Sequence, residues 1–239
     1  MVDNEQTIRE KLAVCHHIIH YMGCDDLLAT HLAARIPQTE TLLITPYNLP
    51  FEEVSASKLV KCDLNGKIIS ENGYKTMPQA VNIHAAVYRK YPGVMSSMHT
   101  HSIYGTAVAS LECGFLYSNQ HALRFYNDIA YHELDGLALD NEGEHIANSL
   151  DNKKVMILRN HGLMTGGASV EEALYRIFYL ERLCEMQIKT MTTGAAIKPI
   201  PEDVCIKTKK QYDSILTPHL EFEALTRRYG NLSRVDYRE

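Results

Sequence analysis

Apolar residues recur along the first segment at spacings of four and three, as Ile8, Leu12, Cys15, Ile19 and Met22, which predicts an amphipathic helix over residues 4–22. Asn4 is placed to cap its start and Gly23 to end it. The short apolar run Leu42-Leu43-Ile44-Thr45 stops at Pro46 and reads as a strand. Lys61–Leu64 and Lys67–Ser70 flank Asn65-Gly66, a pair that tolerates positive φ, and so predict a two-residue hairpin. From Pro78 to Tyr91 the pattern Val81, His84, Ala85, Tyr88 is helical, and Pro92-Gly93 separates it from a strand over 94–99.

The alternation continues downstream. Ser102 opens a helix over 102–113, which Gly114 closes before the apolar Phe115-Leu116-Tyr117. Ile129–His132 reads as a strand, 140–150 as a helix capped by Asp140, and Val155–Leu158 as a strand with no polar face, expected near the sheet centre. Ser169 stands three residues before Glu172, a capping box that starts the longest helix, running to about Thr193. Beyond Pro199 and Pro201 a weaker helical stretch is interrupted by Pro218. The chain therefore reads as α/β, with residues 1–200 as one domain and 201–239 as an extension packing on that domain or on a neighbouring subunit.

Composition narrows the function classes. A chain of 239 residues with 45% hydrophobic residues can build one well-buried core. A formal charge of −5 with no basic tract argues against nucleic-acid binding. Its six cysteines, Cys15, Cys24, Cys62, Cys113, Cys184 and Cys205, contain no Cys-x-x-Cys and read as buried small hydrophobes in a reducing compartment. Neither a leader-like N-terminus nor an apolar run of spanning length is seen, so a cytoplasmic protein without membrane contact is expected.

His99-Thr100-His101 falls at the end of a predicted strand, where residues i and i+2 share a face. His161 follows the buried Val155–Leu158 run and precedes Gly162, so it too sits where a strand ends. Three imidazoles with one open position are the ligand set of a catalytic zinc. Spacing alone does not prove the site, because histidines are often satisfied by ordinary hydrogen bonds.

Longer motifs add to this. Asn82-Ile83-His84-Ala85-Ala86-Val87-Tyr88 leads through Pro92-Gly93-Val94 to Met98-His99-Thr100-His101 and Thr106-Ala107-Val108-Ala109-Ser110. Ile157-Leu158-Arg159-Asn160-His161-Gly162-Leu163 then precedes Ser169-Val170-Glu171-Glu172-Ala173, with Ile44-Thr45-Pro46 and Ser55–Val60 upstream. In this order the motifs resemble the class II aldolase/adducin family over roughly residues 8–195. The resemblance implies a single three-layer αβα domain with a mixed, mostly antiparallel central sheet and helices on both faces. It implies His99, His101 and His161 as ligands of a divalent transition metal, zinc foremost, with manganese or iron(II) as alternatives. It also implies a small-molecule substrate and a homo-oligomer, a tetramer in most of the family.

The same resemblance marks departures. The acid/base glutamate of the sugar-phosphate aldolases corresponds to Ala80, and their proton-donating tyrosine to Gln120. Their phosphate-binding turns correspond to Thr30-His31, Tyr47-Asn48 and Pro78-Gln79, which lack the small donors a phosphate needs. The function implied is an aldolase-type lyase, cleaving or decarboxylating a small hydroxy or keto acid through a metal-stabilised enediolate. A catalytically inactive adducin-like interaction protein and a non-haem iron oxygenase are the alternatives. No catalytic acid/base is assigned; His31, His121, Tyr126 and His132 are candidates by sequence proximity alone.

Other features carry blander readings. His16 and His20 stand at i, i+4 without a third ligand and read as a solvated helix face. Glu171, Glu172, Glu181 and Glu185 read as surface, and Gly162, Gly166 and Gly167 as a tight turn. His84 is either a partner of the site or a core residue.

Overall fold

The computed structural model describes residues 3–137 and 141–239. Seven strands form one sheet: β1 (His31–Arg35), β2 (Thr41–Ile44), β3 (Val60–Asp63), β4 (Ser96–Thr100), β5 (Ile129–His132), β6 (Val155–Leu158) and β7 (Gly162–Gly167), in the order β3-β2-β1-β4-β7-β6-β5. Among the described residues, only the β5–β6 pair is parallel. The helices are α1 (Glu5–Tyr21), α2 (Pro78–Lys90), α3 (Ile103–Ala109), α4 (Glu142–Ser149), α5 (Val170–Met191), α6 (Glu202–Ser214) and α7 (Pro218–Tyr229).

The period of two along the strands divides the core into two layers. Leu32, Ala34, Met98, Val155, Ile157 and Leu163 point to one face, where they pack with α1, α3, α5 and α7. Ala33, Leu42, Ile44, Met156, Leu158 and Met164 point to the other, against α2 and α4. This is the expected αβα sandwich, and it explains why β6 has no polar face. That strand lies second from an edge, however, because β5 is outermost and β4 occupies the middle.

The capping signals act as the sequence predicts. Asn4 accepts from the Thr7 amide, Ser102 from Gly105 and Ser169 from Glu172, while the Glu172 carboxylate accepts from the Ala168 amide. Asp140 lies outside the described residues, and Asn141 occupies the N-cap of α4 without a side-chain cap bond. Several expectations are corrected. Strand β1, His-Leu-Ala-Ala-Arg, was not anticipated, because it has no β-branched residue and is defined by its neighbours. Lys67–Ser70 contributes a single bridge, Cys62 to Ile68, rather than a strand. The helix after Ser102 ends at Ala109, and Phe115–Tyr117 is not a strand. Gly162–Gly167 is itself β7; the tight turn before it is Arg159-Asn160-His161, with Asn160 at φ 55°. Cys113 is exposed, whereas the other five cysteines are buried.

The extension packs on the body of the same chain. Leu225 of α7 joins the core beside α1 and α5, and the Tyr237 carbonyl accepts from the Ala56 amide. On α6, Tyr212 stacks against the Arg124 guanidinium at 4.6 Å. No helix among the described residues is long and apolar enough to cross a membrane.

Candidate metal centre

The end of β4 and the β6–β7 turn bring three imidazoles together. His99 Nε2 lies 2.7 Å from His101 Nε2, which lies 2.9 Å from His161 Nε2. Sheet register explains the approach. β4 and β7 are paired antiparallel through Thr100 and Leu163, which sets His101, just past the end of β4, alongside Gly162 and so next to His161, just before the start of β7. Gly162 is required here, since a Cβ would overlap the Thr100 carbonyl and crowd the His101 ring.

The rings are oriented from behind. His99 Nδ1 donates to the Leu163 carbonyl at 2.9 Å, and His101 Nδ1 to Asp26 Oδ2 at 2.6 Å. Asp26 is anchored in turn by the amide and hydroxyl of Thr30, at 2.6 and 2.8 Å. Burial pushes the Asp26 carboxyl up, but the hydrogen bonds from His101 and Thr30 outweigh it and bring its pKa down to about 2. Burial, reinforced by the neighbouring imidazoles, holds His99 well below the usual histidine range and His161 at about 4. With Nδ1–H committed on His99 and His101, their Nε2 lone pairs face each other, an arrangement that is repulsive unless a cation lies between them. Nitrogens sharing one ion in a tetrahedral set stand roughly 3.3 Å apart. The three residues therefore fit a divalent metal with a small outward movement of the rings.

They open on a cavity of about 460 Å³ whose apolar wall includes Met77, Ile83, Leu134 and Leu137 and whose polar groups include His31, Gln79 and Asn160. Among the described residues lining it, none is Lys or Arg. Of the four acid/base candidates, only His31 reaches this cavity; His121, Tyr126 and His132 do not line it. His31 pairs with His99 across the β1–β4 ladder and continues inward through His84 Nε2 at 2.8 Å, then from His84 Nδ1 to Ser97 Oγ at 2.6 Å and on to the Tyr88 hydroxyl at 3.0 Å. His84 is thus both core residue and partner of the site. Ala80 is buried in the core and Gln120 is exposed, and neither lines the cavity.

Two residues behind the site were not anticipated. Asp26 carries no sequence signal. Glu181, read as surface, is 4% exposed and accepts hydrogen bonds from Thr100 and Ser102, the two residues bracketing His101. His16 is likewise not solvated: it is fully buried between the Leu12 carbonyl and the Thr45 hydroxyl.

Comparison with known proteins identifies the family and the fold. Residues 10–188 match the family model described as Class II Aldolase and Adducin N-terminal domain. An aldolase II superfamily protein from Pseudomonas syringae superposes with a TM-score of 0.94 at 34% identity, covering 100% of this chain and 98% of that one. An L-fuculose 1-phosphate aldolase from Glaciozyma antarctica superposes with a TM-score of 0.85 at 26% identity, covering 98% and 96%. Alpha-adducin of Mus musculus is 34% identical across 95% of this chain, which spans 34% of that longer protein.

Proposed function

Because this chain belongs to the class II aldolase and adducin family, we propose that it is a metal-dependent carbon–carbon lyase acting on a small, unphosphorylated hydroxy or keto acid. The observation that carries this reading is the convergence of three Nε2 atoms, two of them with fixed tautomers, on the wall of a small-molecule-sized cavity. His99, His101 and His161 hold the ion, with zinc favoured by the all-nitrogen set and manganese or iron(II) as alternatives. A divalent ion at this point supplies Lewis-acid polarisation of a chelated substrate carbonyl. Asp26 and the Leu163 carbonyl orient the ligands, the apolar wall excludes water, and Gln79 and Asn160 offer amides to the polar groups of the substrate. With no Lys or Arg on the cavity wall, a phosphate dianion lacks a charged partner, which supports an unphosphorylated substrate.

The adducin likeness, together with Ala80 and Gln120, favours one second reading, an interaction module that has lost turnover. Elemental analysis of the wild type beside His99→Ala and His161→Ala tests the metal, and a panel of 2-hydroxy and 2-keto acids, with aldehyde or carbon dioxide release followed, tests the chemistry. One equivalent lost in both variants together with turnover supports the lyase. Metal without turnover across the panel supports the interaction module, and an unchanged metal content removes both the site and the lyase. The same reading carries a cytoplasmic homotetramer, checked by light scattering of the purified protein.

A further inference from the structure

The end of β5 holds a second cluster. His132 is 8% exposed, and its Nδ1 lies 2.9 Å from the Ser149 hydroxyl on α4. Its other nitrogen, Nε2, is buried without a hydrogen-bond partner. Asp135 Oδ1 is 3.6 Å away, beyond hydrogen-bonding range. The buried Glu142, first residue of α4, brings a second carboxylate, and ligand atoms of His132, Asp135 and Glu142 all lie within 4.8 Å of one another.

We propose that His132, Asp135 and Glu142 form a second divalent-cation site, separate from the three-histidine centre. In the tautomer that carries its proton on Nδ1, donated to Ser149, Nε2 turns a lone pair toward two carboxylates that already share a hydrogen bond, a donor set that a divalent cation satisfies. Asp135 Oδ2 accepts from His145 Nδ1 at 2.8 Å, an outer contact of the kind that orients a metal-binding carboxylate. Gly136, at φ 145°, takes a backbone conformation that favours glycine as the chain passes beside Glu142. One imidazole with two carboxylates suits zinc or manganese, whereas calcium and magnesium favour all-oxygen sets.

The position gives the ion a role. Leu134, Gly136 and Leu137 belong to the wall of the three-histidine cavity, and all three lie between or beside the ligands of the second site. The His132 carbonyl also accepts from the Arg159 amide, two residues before His161. An ion bridging β5, the following loop and α4 therefore fixes the cavity wall from behind.

The test uses the full chain, stripped with a chelator and carrying His99→Ala and His161→Ala, so that the first centre is silent. Zinc titration of this background is expected to retain about one equivalent. Adding Asp135→Asn, a change on an exposed loop, is expected to weaken it at least tenfold, and Glu142→Gln to do the same. Zinc is also expected to slow hydrogen exchange at residues 134–137, and millimolar calcium or magnesium not to displace it. A background that binds no zinc, binding indifferent to Asp135→Asn and Glu142→Gln, or displacement by calcium would each overturn the proposal. None of these outcomes depends on the lyase reading.

Discussion

Replacing Glu181 by Gln is expected to change how the stability of this fold depends on pH. The carboxyl lies on α5 under the three-histidine cluster and accepts from Thr100 and Ser102. Burial pushes its pKa up to about 7 although both hydrogen bonds pull the other way, whereas the ordinary glutamate value is 4.5. Between those values the native state holds a proton that the unfolded chain has released, so stability falls as pH rises through the window and the full cost is present above pH 7. At about 1.36 kcal/mol per pH unit the cost is on the order of 3 kcal/mol.

Gln at this position does not titrate. It keeps one accepting oxygen but presents an amide N–H where a hydroxyl now donates, a loss on the order of 1 kcal/mol that is constant with pH. The two stability curves should therefore cross near pH 5: the wild type is more stable by up to about 1 kcal/mol below pH 4, and the variant by roughly 2 kcal/mol above pH 7.5. Urea unfolding in the presence of a chelator, followed by circular dichroism because the chain has no tryptophan, measures both curves. A difference that stays flat from pH 4.5 to 7.5 would refute the reasoning.

Three further substitutions probe the scaffold around the site. Asp26→Asn removes the anion that orients His101 and should weaken metal binding at the three histidines by about 10- to 100-fold; an unchanged affinity in a competition titration would deny Asp26 that role. Gly162→Ala forces a methyl against the Thr100 carbonyl and should cost about 3 kcal/mol or more, read as a lowered thermal midpoint, since backbone rather than a flexible side chain must yield. Ser169→Ala removes the cap that accepts from Glu172 and should cost about 1 kcal/mol in urea unfolding, with metal content unchanged because Ser169 lies at the opposite end of β7 from His161.

The three histidines that converge were legible in the sequence because each sits at or next to a strand terminus, a local feature that hydrophobic runs and glycine mark directly. Their supports were legible to different degrees, and the reason is physical. Glu181 lies on the stripe Leu174, Ile177, Glu181, Cys184, at spacings of three and four, so its burial was encoded by its neighbours even though its residue type suggested water. His16 is the same case. It stands four residues after Leu12 and three before Ile19, on a helix that is covered on several sides, and residue type outweighed position in reading it as solvated. Asp26 differs in kind. It precedes an alanine-rich strand with no pattern of its own, and it meets His101 only because β1 pairs with β4 in the register His31 to His99. Pairing strands that far apart in the chain is decided by the sheet as a whole. A side chain whose role exists only through such pairing leaves no local trace, whereas a polar residue on an apolar stripe does.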